Sequence, residues 1–299
     1  MANRCPRLER VQSTPVARLA LAMDLLTYGH LDAARSEIDE ALRENPELAG
    51  AHYVKGLILF RRDDLEAAEA SLDIATRLDQ NQATPWIALA SARKELGRSK
   101  EALFAVDRAI SLDKHEAKAH LLRGDLLAAL GRRDQAIRAY SRAFGYDPQL
   151  DRAPHQIARV LLESGDIPGA FRYATTAVRL NPAAPQNSIL LGDVARHQGQ
   201  LEAAVKAYRE AAALAPADAV PYARLGEMFF ENQRFGEAVT ALIQATARDP
   251  QRADCYTMLG QIYQQQDRHR EAEEMFRMSR SNRRERALPG RPETPAEQP

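Results

Sequence analysis

The sequence predicts an all-α fold, an α-solenoid of eight tandem helix–turn–helix repeats that are each 34 residues long. Small residues recur at a 34-residue interval, apolar residues within each interval follow helical spacing, and turn residues separate the helical stretches. The predicted repeats span 15–48, 49–82, 83–116, 117–150, 151–184, 185–218, 219–252 and 253–286. Residues 1–14 are expected to form a leader, and residues 287–299, rich in Pro, Ala and Glu, a disordered tail.

Small residues form columns in this register. The first column is alanine in all eight repeats: Ala34, Ala68, Ala102, Ala136, Ala170, Ala204, Ala238 and Ala272. A second column, Gly or Ala, lies twelve residues before it: Ala22, Gly56, Ala90, Gly124, Ala158, Gly192, Gly226 and Gly260. We expect the two columns to face each other, because small residues let two helices approach to about 8 Å.

Each repeat is predicted to contain two amphipathic helices joined by a turn. In the seventh repeat, Leu225 and Phe229 mark the first helix, and Ala238 and Leu242 mark the second. Glycine, which tolerates positive φ, follows the first helix in five repeats, at Gly29, Gly97, Gly131, Gly165 and Gly199. Proline ends the second helix at Pro46, Pro148, Pro182, Pro216 and Pro250.

On these residues the chain resembles the tetratricopeptide repeat family. The seventh repeat carries the family pattern in Tyr222, Leu225, Gly226, Phe229, Ala238, Leu242 and Pro250. The resemblance covers 15–286 without insertion or deletion. The turn glycine is replaced by Asp63, Gln233 and Asp267, and the proline by Gln80 and Lys114. The resemblance implies a right-handed superhelix in which first helices line a concave groove and second helices cover the convex face.

Composition limits which partners and which compartment are expected for this chain. The 41 basic residues balance 41 acidic ones, so no net field favours nucleic acid or an anionic membrane. The two cysteines, Cys5 and Cys255, are far apart in the sequence and suggest a reducing compartment. The start lacks a signal-peptide pattern, and no apolar run is long enough to span a membrane. We therefore expect a cytoplasmic protein without a membrane span, and the Ala and Arg bias suggests a bacterial source.

The sequence contains no recognisable catalytic motif or metal-binding motif. The seven histidines are scattered in the register, and none stands in a metal-ligand spacing such as H-E-x-x-H. His52 and His120 occupy the leading aromatic position, where packing is the expected role. Phosphate loops, nucleophile elbows and dinucleotide-binding glycine patterns are also missing from the sequence. The sequence thus predicts no enzyme activity, no cofactor and no metal.

The resemblance also indicates which residues of the fourth to seventh repeats would face the groove and bind protein. They are Lys118, Asp125, Arg152, His155, Arg159, Asp193, Arg196, His197, Glu227 and Phe230. Arginine is concentrated in the middle of this set, so we expect a locally basic stretch that would bind carboxylates of an extended acidic segment. The alternative, that these are ordinary solvated helix residues, stays open.

The leading hypothesis is a non-enzymatic scaffold or assembly adaptor that binds a protein or peptide segment in the groove. Two alternatives remain: an accessory or substrate-recruiting subunit of an enzyme or secretion complex, and a scaffold that self-associates through its terminal repeats. Two ligand classes known for the family are disfavoured. The Lys and Asn residues that clamp a terminal carboxylate and the ladder of groove Asn residues are both missing from the matching positions.

Overall fold

The structure, a computed structural model, describes residues 14–287. The predicted leader, except Thr14, and the predicted tail, except Ala287, lie outside the described residues. Within 14–287 there are sixteen α-helices and no strand, so the predicted all-α repeat architecture is confirmed. The chain divides into two compact units between Pro148 and Gln149, which we call the N-terminal and C-terminal units.

The N-terminal unit contains four helix pairs. They are α1 (Pro15–Thr27) and α2 (Leu31–Glu44), α3 (Ala49–Arg61) and α4 (Leu65–Leu78), α5 (Ala83–Glu95) and α6 (Ser99–Leu112), and α7 (Ala117–Ala129) and α8 (Arg133–Tyr146). The two helices of each pair pack on each other, and each second helix also packs on the next first helix.

The C-terminal unit repeats this pattern. Its pairs are α9 (Arg152–Glu163) and α10 (Ile167–Leu180), α11 (Pro185–His197) and α12 (Leu201–Leu214), α13 (Val220–Glu231) and α14 (Phe235–Arg248), and α15 (Ala253–Gln265) and α16 (His269–Ala287). Neighbouring first helices, α9 with α11, α11 with α13 and α13 with α15, also contact each other. Their shared surface is called the first-helix face.

The Gly/Ala column packs mainly against a large side chain that was not predicted, although a Cβ on Gly56 would also lie 3.3 Å from the carbonyl oxygen of the column alanine Ala68. A Cβ built on Gly226 would lie 2.5 Å from Leu242 Cδ2, four residues beyond the column alanine Ala238. Large side chains cover the other column glycines in the same way, pairing Gly56 with Leu72, Gly124 with Tyr140, Gly192 with Tyr208 and Gly260 with Phe276. Where the column holds alanine, the equivalent residue is smaller or β-branched: Ala22 with Ile38, Ala90 with Val106 and Ala158 with Ala174. In the third and fifth repeats a larger column residue thus accompanies a smaller partner, whereas the first repeat pairs Ala22 with a branched isoleucine of the same volume as leucine.

The turns between paired helices keep one backbone conformation whatever residue occupies them. The five predicted glycines have positive φ, from 71° to 83°. Asp63, Gln233 and Asp267, which replace glycine, have φ values of 62°, 59° and 57°. The packing of the helices thus imposes the left-handed conformation even where the side chain opposes it.

Histidine at the leading aromatic position has the expected packing role. His52 Nε2 lies 2.8 Å from the Pro46 carbonyl oxygen, and His120 Nε2 lies 2.9 Å from that of Lys114. Trp86 Nε1 reaches the equivalent carbonyl, that of Gln80, at 3.4 Å. These rings fasten the start of a first helix to the preceding loop.

The terminal repeats carry polar residues where internal repeats carry apolar ones. Asp24 of α1 is exposed, whereas the residues at its position in the other seven repeats are apolar and at most 1% exposed. On α16, His269 and Glu273 are exposed, while Phe235 and Val239 at the same positions of α14 pack against the core. Stacking another repeat on either end would bury these polar groups, although Leu21 and Met23 of α1 and Tyr28, which follows it, are also exposed. Self-association through the terminal repeats stays a prediction.

No helix in 14–287 combines the length and hydropathy needed to cross a membrane.

Candidate functional site

The predicted groove residues fall in both compact units. In the N-terminal unit, Lys118 is exposed near the start of α7. Asp125, on the same helix, has a side chain that is only 10% exposed. It accepts a hydrogen bond of 2.9 Å from the Tyr140 hydroxyl and lies 3.9 Å from Lys94 Nζ. Asp125 therefore ties the two helices of its repeat together.

Three predicted residues gather on α9 in the C-terminal unit. Arg152 is exposed, and His155 is half-buried between Arg152 and Arg159. Arg159 is 2.9 Å from Glu163 Oε1 and also donates to Gln156, both on its own helix. Desolvation by burial lowers the pKa of His155, and the two flanking guanidiniums lower it further, against the opposing effect of a hydrogen bond with Asn187. His155 is thus neutral at pH 7, and the positive charge of this cluster comes from the two arginines.

A buried asparagine forms a hydrogen bond with the His155 ring. Asn187, on α11, is 3% exposed. Its Oδ1 is 2.9 Å from His155 Nδ1, and its Nδ2 donates to the carbonyl of Ala177 at 3.1 Å and to Asp151 Oδ2 at 3.3 Å. The amide therefore joins α9, α10 and α11 and orients the imidazole.

On α11 and α13, the predicted residues Asp193, Arg196 and Glu227 form an ion-pair network with two more residues. Arg196 contacts Glu227 at 3.2 Å and Glu231 at 2.7 Å. Arg224 contacts Glu227 at 2.9 Å and Asp193 at 3.5 Å. The network therefore contains two cations and three carboxylates.

Because of this network, the basic stretch expected in the middle of the set is neutralised on α11, by carboxylates of α13. The Arg196 side chain is 23% exposed, and both of its carboxylate partners come from the next first helix. Repeat spacing brings those carboxylates to the same level of the first-helix face, where they neutralise the arginine. On α9, Arg159 instead pairs only with Glu163 of its own helix among the ion pairs of the described residues, and a basic binding stretch there stays a prediction.

The remaining predicted residues have local roles. His197 is exposed, and its Nδ1 lies 2.8 Å from the Asp193 carbonyl oxygen. Phe230 is partly buried and packs at a tilt on Phe235, with ring centroids 6.1 Å apart.

Four residues of these networks were not predicted as site residues from the sequence: Asn187, Tyr208, Arg224 and Glu231. Tyr208 follows Gly192 by sixteen residues, as Tyr140 follows Gly124, and donates a 2.8 Å hydrogen bond to Asp193. That recurrence of Gly, Asp and Tyr was a usable signal in the sequence. Asn187 also stood out, since it occupies a position that is Ala, Pro or Cys in the other repeats.

No group of three His, Cys, Asp or Glu side chains in the described part of the chain is arranged to hold a metal ion.

The comparisons with known proteins agree with this architecture. A model of the tetratricopeptide repeat matches residues 19–83, 87–150 and 155–219. A second tetratricopeptide repeat model matches residues 218–285. No curated protein matches the chain.

Solved structures show the same fold at low sequence identity. A tetratricopeptide repeat protein from Parabacteroides merdae is 17% identical with a TM-score of 0.63, over 78% of this chain and 92% of that one. PilF of Pseudomonas aeruginosa is 16% identical with a TM-score of 0.61, over 68% and 92%. A chain of the Cut9–Hcn1 hetero-tetramer of APC/C is 18% identical with a TM-score of 0.62, over 92% and 54%. At these identities the likeness shows the fold alone.

Proposed function

Because this chain belongs to the tetratricopeptide repeat family, whose fold generally serves as a protein–protein interaction scaffold, we propose that it is a non-enzymatic scaffold that binds an acidic partner segment at α9. The binding residues in this proposal are Arg152 and Arg159, beside the neutral His155. In the C-terminal unit, the other predicted residues are assigned to the surrounding surface and its support: Asp193, Arg196, His197, Glu227 and Phe230. Lys118 and Asp125 belong to the N-terminal unit and are given no part in this site.

One observation supports α9 as the binding site. Arg159 is only weakly paired within the protein, and it lies on the same helix as His155, whose imidazole is oriented by Asn187. The Arg159 and Glu163 side chains are 43% and 46% exposed and lie one helical turn apart. Such surface pairs contribute only about 0.3–0.5 kcal/mol. A ligand carboxylate can therefore replace Glu163 at little cost, and bidentate pairing with a guanidinium gives it a defined orientation.

Arg196 is expected to bind the same ligand carboxylate less readily than Arg159. A ligand carboxylate would have to displace both Glu227 and Glu231, which hold Arg196 from the neighbouring helix. Breaking such a partly buried network leaves carboxylates without their partner, which costs more than breaking an exposed pair. The first-helix face thus contains one arginine with an easily exchanged partner, Arg159 on α9, and two arginines, Arg196 and Arg224, that belong to the network of α11 and α13.

The test is quantitative affinity capture from a cell lysate with three forms of the full chain, analysed by mass spectrometry. We expect the charge-reversal variant Arg152→Glu/Arg159→Glu to lose the partners that the wild-type chain retains. The matched control is Arg172→Glu/Arg179→Glu, which changes two exposed arginines on α10 of the same repeat. Its captured set should equal that of the wild type.

Thermal melts of all three forms separate binding from folding. The melting temperatures should agree closely, since surface substitutions change stability by about 0.5 kcal/mol or less. Undiminished capture by the Arg152→Glu/Arg159→Glu chain would overturn the proposal. An enzyme among the lost partners would point to the substrate-recruiting alternative.

A further inference from the structure

The surroundings of Asn187 fix the orientation of its side-chain amide. Three oxygen atoms lie around Nδ2, the carbonyls of Ala177 and Asn181 at 3.1 and 3.3 Å and Asp151 Oδ2 at 3.3 Å. Carbonyl and carboxylate oxygens accept hydrogen bonds and do not donate them, so only the NH₂ end of the amide fits between them. The amide oxygen is therefore the atom that lies 2.9 Å from His155 Nδ1.

This orientation determines which ring nitrogen of His155 carries the proton. The amide oxygen only accepts, so Nδ1 donates, and a neutral imidazole has a single N–H. Because burial lowers the pKa of His155 and the ring is neutral at pH 7, Nε2 has a lone pair and no hydrogen. Nε2 forms no hydrogen bond with any residue in 14–287 and is not buried. His155 therefore presents a hydrogen-bond acceptor at its free nitrogen, beside arginines that can only donate.

The packing histidines have the opposite arrangement. His52 and His120 each place Nε2 against a backbone carbonyl oxygen, so Nε2 is their donor. His155 is instead held through Nδ1 by a side chain from another helix. Asn187 is 3% exposed in a column where the other repeats have Ala, Pro or Cys, so helix packing does not require an amide there. A buried amide is unfavourable unless its hydrogen bonds are made, and one of the bonds made here sets the state of an imidazole.

The free lone pair adds a second requirement to the proposed acidic ligand. His155 and Arg159 are four residues apart on α9, which places their Cβ atoms about 5–6 Å apart. A carboxylate that pairs with Arg159 therefore brings neighbouring ligand atoms to Nε2. An acceptor oxygen there would be repelled by the lone pair, and a cationic donor would be repelled by Arg152 and Arg159. A neutral N–H or O–H group satisfies both conditions.

We propose that His155 selects, through Nε2, a ligand segment with a neutral hydrogen-bond donor close to the carboxylate that Arg159 binds, and that Asn187 is the positioning residue that sets this tautomer. This inference rests on the proposed binding of an acidic segment at α9. The donor is a main-chain N–H or a Ser or Thr hydroxyl. In an extended segment, side chains two residues apart lie on one face at about 7 Å, so a hydroxyl at that spacing from an acidic residue is within reach.

NMR of the full chain with ¹⁵N-labelled histidine tests the tautomer without any ligand. Long-range ¹H–¹⁵N correlations distinguish a protonated ring nitrogen from an unprotonated one. Above pH 7 we expect His155 to be protonated at Nδ1 and His52 at Nε2. Asn187→Ala, which introduces the residue that four other repeats have, should shift His155 toward the Nε2–H form and leave His52 unchanged. An Nε2–H form of His155 in the wild-type chain, or an unchanged tautomer in Asn187→Ala, would overturn the proposal.

Peptide arrays test the ligand class. Each peptide has one Glu in a Gly-Ala background, with Thr or its isostere Val two residues away. A further set carries N-methyl groups on the main-chain amides beside the Glu, and a last set has Gln in place of Glu. Binding of the wild-type chain is compared with that of His155→Phe and of the matched control His269→Phe, which changes an exposed histidine on α16 of the same unit.

We expect loss of one donor, the Thr hydroxyl or the main-chain N–H, to weaken binding by the wild-type chain roughly tenfold, the effect of one hydrogen bond. The His155→Phe chain should bind these Glu peptides equally, and His269→Phe should behave as the wild type. Equal binding of all Glu peptides by the wild-type chain would overturn this inference and leave acidic-segment binding intact. Equal binding of Glu and Gln peptides would instead refute the proposed function itself.

Discussion

The size matching between Gly226 and Leu242 leads to a double-mutant prediction. A Cβ at position 226 would lie 2.5 Å from Leu242 Cδ2 and 2.6 Å from its Cγ, well inside van der Waals contact. Overpacking of this kind costs about 1–3 kcal/mol, offset by about 1 kcal/mol because alanine favours the helix. Gly226→Ala alone should therefore lower the free energy of unfolding by up to about 2 kcal/mol.

Leu242→Val removes both δ-methyl groups, including the Cδ2 that lies 2.5 Å from the built Cβ, and leaves the shorter γ-methyl groups free to take the arrangement of Val106. Alone it should cost about 0.5–1.5 kcal/mol, the usual loss for one buried methylene. The double variant recreates the Ala90 and Val106 pair of the third repeat, both fully buried. It should have nearly wild-type stability, so the coupling free energy is about 1–3 kcal/mol.

Urea unfolding followed by circular dichroism measures these free energies from the midpoint and slope. The matched control combines Leu242→Val with Gly56→Ala, whose own partner is Leu72 in the N-terminal unit. Those two changes should add within about 0.5 kcal/mol. If the pair Gly226→Ala and Leu242→Val is equally additive, the size-matching explanation is wrong.

Three further predictions follow from single positions. Gln233→Gly should raise the free energy of unfolding by about 0.5–1 kcal/mol, because glycine adopts the positive φ of this turn without strain. Asp63→Gly should gain less, since Asp tolerates that conformation better. A lower melting temperature for Gln233→Gly would contradict this prediction. The lowered pKa of His155 means that the unfolded chain takes up a proton first as the pH falls below about 6.5, so the folded state should lose stability there. Melting temperatures between pH 7.5 and 5.5 should fall less for His155→Gln, and equal slopes would refute the assignment. Ala136→Leu, at a fully buried position, should cost about 1–3 kcal/mol, whereas Arg138→Leu, exposed on the same helix, should change stability by about 0.5 kcal/mol or less in the same urea assay.

The helical repeat architecture was predictable because its determinants are local and recur. Helical periodicity and the spacing of small residues are properties of short segments, and eight copies strengthen a signal that one copy leaves weak. Even the turns without glycine followed the register, since Asp63 and Gln233 adopt the conformation that glycine takes elsewhere.

The electrostatics of the candidate site were less predictable. Arg196 pairs with Glu227 and Glu231, which lie 31 and 35 residues further along the chain. The register places these side chains on one face. Which partner a long side chain contacts, however, depends on its rotamer and on the axial offset between neighbouring helices. Counting arginines therefore overestimated the basic character of α11.

The polar residues at both ends bear on how the length of this array could be altered. A repeat inserted between internal repeats would meet apolar partners on both sides. A repeat appended before α1 or after α16 would instead have to neutralise Asp24 or Glu273. Lengthening this protein by engineering should therefore proceed by internal duplication, with the first and last repeats kept as they are.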